Sequence, residues 1–413
     1  MTASSVEPAP TRPALLVGRE LVCSGRWEPA RASLTDCDAE YVWTHDGMRN
    51  LNVRMQEAVY GHFGRTEGDR ISDRVYQRMT DWAFGATDAP AFREQVETIA
   101  MLWQWHRTPV RLLEDDEKVT YVMQPCGSGG RLINAGAYLP SARRPLTILE
   151  EPSFVSFGEG NFPNWCAHCA FSNRGYLARS MPYFLLEGWS DHRRWGGCAA
   201  HSYKDIGLVP DEAFERVGLA PPQRVTPSPP GRAFSDEELA ELSRPVVDRL
   251  LEAVARRDAN AALDLIDRSW RAWSNLHDAY RCWFAMFADE LVAEGGPELA
   301  VRLVAENAWE LVAPVLEDPV LEDAPSSAEA WIWFWRNHLG TVELEETGGG
   351  LVVAVPRDAL IHPELDEPRA ESLAVQLATA VTEGARRHGY ERAFGQLRYS
   401  AGRFEHEVPA PNG

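Results

Sequence analysis

Val119-Thr120-Tyr121-Val122-Met123-Gln124-Pro125-Cys126 is an apolar, β-branched run that stops on a proline and leads directly into a thiol. Valine, threonine and tyrosine favour the pleated backbone, and proline cannot donate to a ladder, so the run predicts a strand over 119–124. Upstream, Asp115-Asp116-Glu117 reads as a hairpin-like turn and Met101-Leu102-Trp103-Gln104-Trp105 as the end of a helix spanning Phe92 to His106. Earlier helices are expected from a cap at Thr44 or Asp46 toward His62, and from Ile71 to Trp82. A second strand is expected at 153–157. The predicted class is therefore α+β, with helices packed on one face of a small antiparallel sheet.

The pattern returns about 231 residues later. Trp43-Thr44-His45-Asp46-Gly47-Met48-Arg49 is echoed by Trp273-Ser274-Asn275-Leu276-His277-Asp278-Ala279-Tyr280-Arg281, both containing H-D-x-x-R. Trp331-Ile332-Trp333-Phe334-Trp335 and the strand pattern Leu351 to Pro356 follow in the same order. Such spacing implies an internal duplication. The predicted organisation is an N-terminal arm over 1–38, a metal-binding α+β module over 39–218, a Pro-rich linker over 219–234 and a degenerate, mostly helical α+β module over 235–413. Ser235-Asp236-Glu237-Glu238 has the form of a capping box opening the last of these.

Chemistry concentrates in the first module. Cys126, Cys166-Ala167-His168-Cys169 and Cys198-Ala199-Ala200-His201 give a C-x-x-C followed by a C-x-x-H, the donor types and spacing of a tetrahedral zinc site. The second copy has Pro356-Arg357-Asp358 where the first has Pro125-Cys126-Gly127, so the expected zinc-knuckle insertion belongs to the first alone. Two arrangements stay open. Either Cys126 is the fourth ligand, or His201 closes the site and Cys126 is a reactive thiolate. Iron is as compatible with four thiolates as zinc. Arg131 is placed to hold a substrate carboxylate or lower a thiol pKa, and Lys204-Asp205 follow His201 closely enough to reach the same site. His45 is a candidate proton carrier if it faces the pocket, and His168 either points to solvent or reaches a substrate. His192 is expected to be exposed, Cys23 and Cys37 to be thiols, and Val315-Leu316-Glu317-Asp318-Pro319-Val320-Leu321-Glu322-Asp323 to be a solvated turn.

Across the 413 residues the formal charge is -20, which argues against binding a phosphate backbone. No apolar run reaches the length of a membrane span, and no secretory leader is evident. The reading is a cytoplasmic, reducing setting in which thiols stay available. The 15 tryptophans suit core packing, with some able to wall a small-molecule pocket.

The order of an H-D-opened helix, a Trp-bearing helix, a strand ending in Cys126, a C-x-x-C and one later cysteine resembles the L-2-amino-thiazoline-4-carboxylate hydrolase-like proteins and their helical α+β relatives. That resemblance implies a small-molecule site using a cysteine for hydrolytic or ring-opening chemistry, carried onto Cys126. The expected function is a zinc-containing hydrolase or lyase acting on a small carboxylated molecule, with Cys126, Arg131 and His45 as catalytic candidates. Its metal ligands would come from Cys126, Cys166, Cys169, Cys198 and His201. The alternative is a non-catalytic ligand-binding protein with structural zinc. A homodimer is compatible with either.

Overall fold

The computed structural model describes residues 11–35, 37–84, 91–182, 185–186, 197–317, 327–338, 342–347, 350–362 and 365–409. It is α+β, dominated by helices and carrying small antiparallel sheets. Two compact units emerge. The cysteine unit comprises Gln56–Arg249 with Arg271–Ala279, and the terminal unit comprises the chain up to Met55, Leu250–Trp270 and the part from Tyr280 onward. These bounds differ from the 39–218 and 235–413 division suggested by the Pro-rich linker.

The described residues begin with α1 (Ala14–Cys23) and α2 (Trp27–Thr35), in the stretch expected as a loose tail or an arm laid over the body. Leu15, Val22, Ala30 and Leu34 are buried, and that apolar burial holds the helices in place. Helix α3 (Cys37–Phe84) breaks at Gly64, whose φ of 75° is open to glycine and strained for other residues. The break separates the two helices anticipated on either side of it. Thr44 and Asp46 are helix-interior residues, because the helix already begins at Cys37. Helix α4 (Phe92–Trp105) then leads to the hairpin of β1 (Val110–Glu114) and β2 (Lys118–Met123).

Beyond that hairpin come α5 (Gly129–Asn134), β3 (Ile148–Leu149), β4 (Phe162–Pro163), α6 (Ala167–Ala178), β5 (Leu185–Leu186) and β6 (Cys198–Tyr203). The stretch expected as a strand at 153–157 is instead a short 3-10 helix, Phe154–Ser156, with Phe157 left-handed at its end. A reciprocal Ser153/Ser156 capping arrangement supplies the bonds that a strand would have needed from a neighbour. The sheet order is β1-β2-β6-β5, all pairs antiparallel. Val119, Tyr121 and Met123 alternate inward and are fully buried, while Lys118, Thr120 and Val122 are half-buried on the other face.

Helices α7 (Asp211–Glu215), α8 (Asp236–Ser243), α9 (Val246–Ala255), α10 (Ala259–Gly295), α11 (Pro297–Asn307), α12 (Ala313–Leu316) and α13 (Ser327–Arg336) follow. The capping box at α8 forms as expected: Ser235 Oγ accepts from Glu238 N at 3.2 Å and Ser235 N donates to Glu238 Oε2 at 2.7 Å. Val315 and Leu316 are buried in α12, whereas 318–323 of the acidic repeat lie outside the described residues. In the terminal unit, β7 (Glu343–Thr347), β8 (Gly350–Pro356), α14 (Glu367–Arg387), α15 (Glu391–Phe394), β9 (Gln396–Ser400) and β10 (Arg403–Pro409) build a sheet in the order β7-β8-β10-β9. Its core is aromatic. Trp335 Nε1 donates to His406 Nδ1 at 2.9 Å, His406 Nε2 donates to the Phe394 carbonyl at 2.6 Å, and Trp331 stands edge-on to His406. Among the described residues no helix is long and apolar enough to cross a membrane.

Candidate functional site

Three separate segments of the cysteine unit bring four thiols together. Cys126 follows β2, Cys166 and Cys169 open α6, and Cys198 begins β6 directly opposite Met123. The Cys169 thiol is driven well above its ordinary value first by burial, then by the neighbouring charges of Cys166, Cys198 and Cys126. Cys166 is raised in the same way by burial, Cys126 and Cys198. Cys126, Cys166, Cys169 and Cys198 therefore lie close enough to influence one another electrostatically. Cys126 and Cys166 are buried, while Cys169 and Cys198 are half-exposed. All seven cysteines, Cys23 and Cys37 included, are thiols.

The C-x-x-H reading fails at the strand. Cys198 and His201 are separated by three residues on β6, and side chains alternate faces along a strand, so an odd separation puts them on opposite sides of the sheet. Cys198 shares a face with Ala200 and Ser202, whose Oγ lies 3.2 Å from Tyr121 Oη. His201 Nδ1 pairs with Thr120 Oγ1 at 3.0 Å on the reverse face. Nor is the C-x-x-C an irregular loop knuckle. Cys166 occupies the position just before α6, without a side-chain capping bond, and Cys169 lies in its first turn. Among the described residues no group of three or more His, Cys, Asp or Glu side chains is arranged to hold a metal ion. No zinc knuckle is found among the described residues.

Packing fixes the cluster. An added Cβ at Gly129 would come 2.3 Å from Cys166 Sγ, so only glycine lets the turn after Cys126 approach this closely. Ser128 Oγ accepts from Trp165 Nε1 at 2.6 Å, tying the same turn to the start of α6. Gly127 N donates to Thr108 Oγ1 at 2.8 Å, and Arg131 N to the Cys126 carbonyl at 2.9 Å. From the later half of α3, Tyr76 stacks on Phe171 at 5.2 Å and on His168 at 6.4 Å. Its hydroxyl donates to Gln56 Oε1, and Gln56 Nε2 to the Asn164 carbonyl, both within 2.9 Å.

His168 is the residue that spacing alone undervalued. Its Nδ1 lies 2.5 Å from the Trp165 carbonyl, which can only accept, so Nδ1 carries the proton. That leaves the lone pair on Nε2, 3.3 Å from Cys169 Sγ. Burial lowers the His168 pKa to about 4, keeping the ring neutral at physiological pH. The signal was present in the sequence as the histidine inside C-A-H-C. Only the folded ring's bond to Trp165 determines which nitrogen faces the thiol.

Other sequence candidates settle elsewhere. Arg131 lies in α5, one turn from Cys126. Lys204 is committed to Glu114, Asp115 and Gly231, and Asp205 caps a short 3-10 turn by accepting from Gly207 N at 2.7 Å. His45 belongs to the terminal unit, fully buried, with Nδ1 2.8 Å from Asp46 Oδ1 and Nε2 3.5 Å from Tyr280 Oη. His192 lies outside the described residues. No family model, no curated protein and no solved structure matches this chain.

Proposed function

We propose that the cysteine unit is a thiol-dependent small-molecule enzyme, a hydrolase or lyase acting on a small carboxylated substrate. The observation that carries this reading is the convergence of Cys126, Cys166, Cys169 and Cys198 from three segments into one cluster with two half-exposed members. A sulfur nucleophile splits hydrolysis into attack and release, and a thiol is the strongest neutral-pH nucleophile among side chains. The hydrolytic class is the one implied by the resemblance described above. The test is turnover by the full chain on carboxylated thioesters, amides and cyclic thioimidates, against Cys→Ser variants at the four positions. Loss of turnover in one natively folded variant supports the reading. Stoichiometric zinc whose removal abolishes turnover would overturn it in favour of the zinc enzyme expected from sequence, and no turnover at all would favour a ligand-binding protein.

We also infer that the chain arose by internal duplication. Beyond the echoed motifs, this is supported by a shared topology: each four-stranded sheet places a hairpin, then a second hairpin arriving after a helix, in the order first-second-fourth-third.

A further inference from the structure

We infer that Cys169 is the nucleophile of this centre and His168 its general base, in place of the Cys126 role expected from the sequence. This rests on the thiol-enzyme reading above and names the acting pair within it. Three observations converge. Cys169 Sγ stands 3.3 Å from His168 Nε2, within the distance of an S–H···N hydrogen bond. The Nδ1–H bond to the Trp165 carbonyl holds the ring in the tautomer whose lone pair faces that sulfur. Cys169 and His168 are each partly exposed, as is Cys198, while Cys126 and Cys166 are buried, so the Sγ–Nε2 contact rather than exposure singles out Cys169. Trp165 and Tyr76 flank the imidazole at 4.6 Å and 6.4 Å between ring centres, which restricts its rotation.

The step balances without an outside oxidant or reductant. Cys169 Sγ–H gives its proton to His168 Nε2, and the sulfur lone pair forms a C–S bond to an acyl or thioimidate carbon. The π pair of the C=O or C=N bond moves onto its heteroatom. Its return expels the leaving group, which takes the proton from Nε2. Water, deprotonated by the same nitrogen, then attacks the acyl carbon and releases Cys169 as the thiol.

The experiment is time-resolved alkylation of the full chain with iodoacetamide, read by peptide mass mapping, in the native protein and in His168→Phe, which keeps an aromatic ring beside Tyr76 but has no base. Cys23, exposed on α1, is the internal reference. In the native protein Cys169 is expected to be labelled before Cys126, Cys166 and Cys198. In His168→Phe its rate should fall at least about a hundredfold against an unchanged Cys23, the lower end of what a positioned base contributes. First labelling at another of the four cysteines in the native protein overturns the inference whether or not the variant folds. An unchanged Cys169 rate in a natively folded His168→Phe or His168→Asn does the same. Turnover lost in Cys126→Ser but kept in Cys169→Ser would sink the assignment while leaving the thiol-enzyme reading intact, whereas turnover untouched by all four cysteine variants would sink the reading itself.

Discussion

Lys204 Nζ lies 2.8 Å from Glu114 Oε1, with the two side chains 3% and 0% exposed. The same ammonium donates to the carbonyls of Asp115 at 2.6 Å and Gly231 at 2.5 Å, so all three of its protons are used. Glu114 in turn accepts from Ala233 N at 2.6 Å and Phe234 N at 2.9 Å. The pair joins β1, the end of β6 and the far end of the Pro-rich stretch. A buried charge is tolerated only when so fully satisfied.

Removing one partner leaves the other charge buried and uncompensated. Lys204→Met is expected to destabilise the chain by about 3 kcal/mol, read as a lower urea midpoint. Equal midpoints for Lys204→Met and the native protein would contradict this account.

The acid limb of stability should report buried histidines in both units, two of them in the terminal unit and His168 in the cysteine unit. Burial holds His406 at about 4 and His338 at about 3, against an ordinary value of 6.5. Because the folded values are depressed, the unfolded chain takes up the protons first as pH falls. The stabilisation is complete above about pH 6.5 and is lost between there and pH 3–4. For His406 alone the loss by pH 5 is about 2 kcal/mol. Urea unfolding at pH 7.5 and pH 5.0 measures it, and His406→Gln should shrink the difference.

Gly129→Ala introduces a Cβ 2.3 Å from Cys166 Sγ. The thiol must move, at about 1–3 kcal/mol for a close-packed site. The expected result is a modestly less stable protein whose pattern of thiol labelling across the cluster has changed, while Cys23 labels as before. An unaltered pattern would mean that the close approach of this turn does not set the cluster.

His201→Ala should leave labelling of the four clustered cysteines unchanged, because the imidazole occupies the opposite face of β6. Its cost is the lost bond to Thr120, about 1 kcal/mol. A change in Cys198 reactivity beyond twofold would place His201 nearer the cluster than the strand register allows.

The amino-acid sequence by itself determined the local elements and the inventory of chemistry. Alternation of apolar residues fixed β2, the Ser235/Glu238 pair fixed the start of α8, and the helices on either side of Gly64 were legible from periodicity. Each rests on contacts between residues near in sequence. The cysteine spacing likewise singled out the four thiols that cluster. Tertiary structure decided what those thiols face. Spacing could not reveal that Cys198-Ala-Ala-His201 is a strand, because its pairing partner β2 lies some eighty residues upstream, and that pairing sends the histidine to the other side of the sheet. It could not choose between the nitrogens of His168, since that choice depends on the Trp165 carbonyl accepting from the folded ring at the mouth of α6. Nor could it show that Lys204 is spent on a buried carboxylate from another strand. Side-chain direction and hydrogen-bond partnership are set by neighbours remote in the chain, so they were decided only when the chain folded.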